Sequence, residues 1–271
     1  MTEAEPVTGS GLRPAYAATR AYLGIVAVLL GLAALGWWWT VGEMRGMDTG
    51  PWSALGTFGW FLGVWVVMMA AMMFPSVSPT VALYARMSRS RVLPVAFTGG
   101  YLATWAGAGV AAFLIALVVR GVAHDALAWD NAGQTVAGST LLMAAGYEVT
   151  PLKDVCLGKC RSPLGTLLGS WRAGWTGALR MGVGNGAWCV GCCWALMASL
   201  FALGVMSVTW MAVVAALIAF EKTFPWRKVA TYTTTTVLIV LGVLMLVAPD
   251  ALPGLSVPDH SRMPAMSPTG S

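Results

Sequence analysis

Seven stretches of this chain, residues 21–40, 57–84, 92–119, 134–147, 181–203, 208–220 and 229–248, contain no Asp, Glu, Lys, Arg or His. Runs this apolar belong in hydrocarbon, where a backbone must satisfy its own hydrogen bonds, so helices are the structure open to them. The expected fold is therefore all-α, a polytopic transmembrane bundle of about seven spans. Runs 134–147 and 208–220 are short for a hydrocarbon core of ~30 Å. They either borrow flanking residues to cross or turn back as re-entrant segments. Of 271 residues, 58% are hydrophobic and only 10% charged, too little charge to coat a soluble domain of this length. Fourteen Trp and 32 Gly fit the same class, since Trp anchors interfaces and Gly lets helices approach closely.

Charge sets the expected orientation. Segments on the amino-terminal side of an odd number of spans carry Arg13, Arg20, Arg86, Arg89, Arg91, Lys153, Lys159, Arg161, Lys222, Arg227 and Lys228, among others. The opposite side holds only Arg45, Arg120 and Arg262. The positive-inside rule then places the N-terminus in the cytoplasm and the C-terminus outside, in the cell (inner) membrane. Residues 1–20 read as a polar cytoplasmic N-terminus, 21–249 as the transmembrane domain and 250–271, rich in Pro, Ser and Gly, as a disordered external tail. Within the largest cytoplasmic connection, Leu164, Leu167, Leu168, Trp171 and Trp175 fall at helical spacing, predicting an interfacial amphipathic helix over about 163–175. The net charge of +5 is scattered through short connections, so the lipid bilayer is the implied partner and nucleic acid is not.

The chemistry-bearing residues are soft ligands inside the membrane. Cys189, Cys192 and Cys193 fall within an arc of about 100° on a helix, with Asn185, a further candidate metal residue, and Gly182 and Gly186 on the same face. Thiolates and thioethers select Cu(I) and similar ions. The competing explanation is that small apolar Cys and Gly fill a helix–helix seam. Met68, Met69, Met72 and Met73 cover about 140° of another helix, which Pro75 and Pro79 interrupt. Helical rise from the nearest basic residues puts the Cys cluster about 13–20 Å and the Met cluster roughly 20–27 Å above the cytoplasmic edge, so Met69, Met72 and Met73 can meet the thiols. Ordinary packing accounts for Met equally well.

Two further Cys, Cys156 and Cys160, lie in the cytoplasmic connection and offer a possible second metal or thiol site with Glu148. Lys153, Lys159 and Arg161 nearby are expected to favour their thiolates. Glu148 ends its span five residues before Lys153 and reads equally as a ligand or as a paired, snorkelling carboxylate. Met44, Met47, His124, His260, Met263 and Met266 read as ordinary residues of external segments. No phosphate-binding Gly-rich loop is present, so this chain does not power transport with ATP by itself.

The segments Met68–Pro75, Thr150–Arg161, Trp171–Gly186 and Cys189–Trp194, with Trp210-Met211-Ala212 and Glu221-Lys222, resemble a bacterial family of predicted metal-binding integral membrane proteins, a domain-of-unknown-function family. The resemblance spans about residues 60–228 and is most specific in Cys-x-Gly-Cys-Cys-Trp and Thr-Pro-Leu-Lys-x-x-Cys-Leu. It implies a copper-associated membrane protein. That family commonly carries His where this chain has Asn185, and Gln where it has Glu148, which leaves metal loading to the thiols.

Three functions stand against one another. In the first, the protein binds a soft transition metal, most readily Cu(I), for delivery, buffering or maturation of a membrane or exported cuproenzyme, without being an enzyme itself. In the second, it is a structural or assembly subunit of a larger membrane complex, packing through the Gly/Cys face. In the third, it is a membrane thiol oxidoreductase using the Cys189-x-x-Cys192 spacing.

Overall fold

The computed structural model describes residues 12–44, 57–90, 92–123, 134–203 and 207–248. The tail at 250–271, together with Arg45, Met47, His124, His260, Met263 and Met266, lies outside the described residues. The elements are all helical: α1 Leu12–Met44, α2 Phe58–Ser88, α3 Leu93–Ala123, α4 Gln134–Glu148, α5 Pro151–Cys160, α6 Pro163–Gly169, α7 Gly174–Leu203, α8 Val208–Thr223 and α9 Arg227–Val247. The all-α expectation holds among the described residues. Five helices are long and apolar enough to cross a membrane, namely Tyr22–Glu43 of α1, Phe58–Ser88, Leu93–Val118, Gly174–Leu200 and Arg227–Val247. With 15 and 16 residues, α4 and α8 fall short of the ~20 that a full crossing takes. α1 begins at Leu12, inside the stretch read as a polar N-terminus.

α7 is the central element. It packs on α3, α4, α5 and α8, while α1 lies against α2 and α9 against α4. The α3–α7 seam is backbone on backbone. A Cβ at Gly182 would stand 1.9 Å from the carbonyl oxygen of Phe97, and one at Gly100 would stand 2.2 Å from that of Leu179. Small residues at such crossings let dispersion act over closely spaced helices, which matters where lipid supplies no hydrophobic contrast. The glycine face of α7 is therefore spent inside the chain. That removes the seam on which the structural-subunit reading relied for binding an outside partner. α2 is tied to α3 by Trp65, whose indole Nε1 donates to the Trp105 carbonyl at 2.9 Å.

The connection between α4 and α5 is only two residues, Val149 and Thr150. Thr150 caps α5, its Oγ1 accepting from the Lys153 backbone N–H at 3.3 Å, and Pro151 occupies the first turn where no N–H is needed. This tight reversal turns α5 back beside the bundle. The interfacial helix expected over 163–175 is not one element. α6 stops at Gly169 and α7 starts at Gly174, which holds a φ of 79° open to glycine. Leu167 is buried, whereas Leu164, Leu168, Trp171 and Trp175 are exposed.

Candidate metal centre

Helical spacing of three and four residues stacks Cys189, Cys192 and Cys193 on one side of α7, where all are buried. Their sulfurs lie within 4.8 Å of one another. A metal–thiolate bond of about 2.3 Å sets trigonal sulfurs about 4 Å apart, so the cluster is close to what a three-sulfur site needs. The Cys192 and Cys193 thiols both donate to the Cys189 carbonyl, at 3.2 and 2.9 Å. These back-bonds orient the two sulfurs toward the Cys189 side of the helix.

Cys189 is the hub. Its Sγ is 3.0 Å from the Tyr101 hydroxyl on α3 and 3.9 Å from Met73 Sδ on α2. The Lys222 Nζ of α8 donates to it at 3.1 Å and also reaches Ser76 Oγ at 3.2 Å. Three helices thus deliver a thioether, a phenol and an ammonium to this one sulfur of α7. α2 runs unbroken from Phe58 to Ser88 through Pro75 and Pro79, so the prolines expected to interrupt it do not, and Met73 lies buried just before them. Met69 and Met72 are buried in the same core, but neither makes a hydrogen-bond-range contact with a thiol among the described residues. Asn185, one turn before Cys189, is half-buried. No hydrogen bond of its side chain is seen among the described residues. Of Met69, Met72 and Met73, Met73 is the one whose sulfur lies beside a thiol among the described residues.

Cys156 and Cys160 were expected as a separate site, and the structure brings them to the same place. Cys160 Sγ is 3.6 Å from Cys192 Sγ. Cys156 lies against Gly191, where a Cβ would come within 2.9 Å of its sulfur. Burial works against the thiolate activation expected from nearby cations. Burial raises the Cys156 thiol above its ordinary value. The Cys189 and Cys192 sulfurs near it, with burial, raise Cys160. Two of the three neighbouring cations, Lys153 and Arg161, are committed elsewhere. Arg161 donates to the Glu221 carbonyl at 3.0 Å and to the Phe224 carbonyl, tying the end of α5 to the end of α8. Arg227 pairs with Asp154 at 3.0 Å on the exposed side of α5.

Lys153 is only 1% exposed and sits between Glu148, which is 2% exposed, and Glu221, also 2% exposed. Its Nζ bonds both Glu221 oxygens, at 2.9 and 2.7 Å, and Glu148 Oε2. Burial lowers the Lys153 pKa, and Glu221 works against that shift. Glu148 is thus a paired carboxylate, as one reading of its position expected, but it is enclosed rather than snorkelling. Sequence reasoning missed Glu221 and Lys222 as site residues. The available signal was their adjacency at the end of a short apolar run, in a Glu-Lys pair already part of the family resemblance.

A family model described as PpoB2, copper chaperone, matches residues 62–245. The chain belongs to the PpoB2 copper chaperone family. The matched region contains all five Cys, Met73, Tyr101 and the Lys153 ion cluster. No curated protein and no solved structure matches the chain. PpoB2 membership bears out the metal-binding membrane family that the Cys and Thr-Pro-Leu-Lys elements resemble.

Proposed function

We propose that this protein is a membrane copper chaperone that holds Cu(I) as cargo on Cys189, Cys192 and Cys193, with Met73 as a fourth sulfur. The observation that carries this reading is the buried three-thiol cluster with a thioether at its edge. An all-sulfur donor set suits Cu(I) and disfavours hard ions. Three thiolates around Cu(I) carry net negative charge, and burying such charge without a partner is costly. The Lys222 ammonium 3.1 Å from Cys189 offsets it. Asn185 and Glu148 are outside this ligand set. Delivery to a membrane or exported cuproenzyme is the role that a buried, exchangeable soft site serves best.

Elemental analysis tests the reading. Detergent-purified parent protein grown with added copper should hold about one copper per chain, and the Cys189, Cys192, Cys193→Ser variant almost none, because hydroxyls are hard, poor ligands for Cu(I). Equal copper in the two proteins would remove the thiols from the account.

The proposed placement has seven spans, the N-terminus inside the cell and the C-terminus outside, in the inner membrane. In this arrangement α4 and α8 cross, and Lys153 of α5 ties Glu148 at the end of α4 to Glu221 near the end of α8. Basic residues concentrated on one side support it. Reporter fusions after Ser90 and Trp175 should read cytoplasmic, and fusions after Asp48 and at Ser271 external. A cytoplasmic C-terminal reporter would mean that one of the short helices does not cross.

A further inference from the structure

Among the five Cys, four are sealed: Cys189, Cys192 and Cys193 are each 2% exposed, and Cys156 6%. Cys160 is half-buried, at the last position of α5, where the chain turns into α6. Its sulfur is nevertheless 3.6 Å from Cys192 Sγ, on the sealed cluster. Cys160 is therefore the one Cys that is both less than fully buried and in contact with the metal cluster. Cys156 is buried, its sulfur pressed against Gly191 of α7.

We propose that Cys160 is the transfer ligand of the copper site, passing Cu(I) between a copper–thiolate complex of a small thiol and Cys192. This inference rests on the copper reading above. It assigns access to the carboxyl-terminal end of α5, where Cys160 is half-buried. The exchange keeps copper as Cu(I) throughout. Cys160 and Cys192 each form a Cu–S bond as one carrier thiolate leaves, and each gives its thiol proton to the thiolate it displaces. Cys189 then forms its Cu–S bond, the Cu–S bond to Cys160 breaks, and the Cys189 proton passes to Cys160; Cys193 forms the third Cu–S bond as its thiol proton passes to a buffer base. Cys160 ends as a free thiol, ready for a second exchange or for the reverse path. The 3.6 Å separation makes the step short, because both sulfurs reach one metal ion with little movement.

The test is a loading experiment on the detergent-purified full chain, with the Cu(I)–glutathione complex as the probe. Uptake is followed through the ultraviolet absorbance of copper–thiolate bonds. Cys160→Ser should slow loading by at least about tenfold, since exchange rates follow the access of the attacking thiol. Its final copper content, and its affinity in competition with a chromophoric Cu(I) chelator, should stay within about threefold of the parent. Alkylating Cys160 with N-ethylmaleimide on the folded parent should give the same slowing, which covers the case of a poorly folding variant. A parent rate in Cys160→Ser overturns the inference and leaves the copper site standing. Loss of bound copper at equilibrium also overturns it, because Cys160 would then be a resident ligand. A parent that takes up no copper at all overturns the copper reading itself.

Discussion

Replacing Lys153 with Met should break the junction of α4, α5 and α8. The ammonium is enclosed with two carboxylates, those of Glu148 and Glu221. Removing it leaves both acids buried, adjacent and without a cation. Breaking a buried ion pair in this way costs about 3–5 kcal/mol. For a chain of this size that corresponds to a loss on the order of 10 °C in unfolding midpoint. Glu148→Gln should behave differently. Two carboxylates face one ammonium, and the second Glu148 oxygen, Oε1, has no hydrogen-bond partner among the described residues. Neutralising Glu148 removes surplus negative charge while Glu221 still holds Lys153. The cost should not exceed about 1.5 kcal/mol, the value of one hydrogen bond. Thermal loss of the monodisperse size-exclusion peak in detergent compares the three proteins. A Lys153→Met midpoint equal to the parent's would contradict the buried ion cluster.

Some of this centre was legible before any coordinates. The Cys189, Cys192 and Cys193 cluster follows from spacing alone, because positions three and four apart on a helix face one way. The long apolar runs fixed the helical class for the same kind of reason. The junction around α5 was not legible. Lys153 pairs with Glu221 across 68 residues of sequence, and no local pattern marks that contact. A basic residue in a short connection reads as solvated and positive-inside. Here the two-residue α4–α5 turn folds it back under its own bundle. The same turn carries Cys156 and Cys160 onto α7, which is why a pair read as a separate site joins the main one. The four Met also separated only in three dimensions. A run of Met at helical spacing fits packing and ligation alike, and the Met73–Cys189 contact distinguishes one from the rest.

Cys189→Ser alone should remove most of the copper affinity. Its sulfur is the one that Met73, Tyr101 and Lys222 all converge on. Serine keeps the volume of the side chain nearly unchanged and can bond back to a helix carbonyl, so the bundle should still assemble. The loss should reach at least about 100-fold, beyond the 10–100-fold that follows removal of an outer-shell partner. Met73→Leu removes a neutral thioether and leaves all three thiols, so it should cost less than about tenfold. Competition titration of Cu(I) against a chromophoric chelator ranks the two variants. Equal losses would mean that Cys189 holds no special place in the site.

X-ray absorption at the copper K-edge of the Cu(I)-loaded parent bears most directly on the buried sulfur site. Three sulfurs at about 2.3 Å, with a weaker fourth at most and no light-atom ligand, is the first shell that the Cys cluster and Met73 dictate. A first shell of nitrogen or oxygen donors would contradict it.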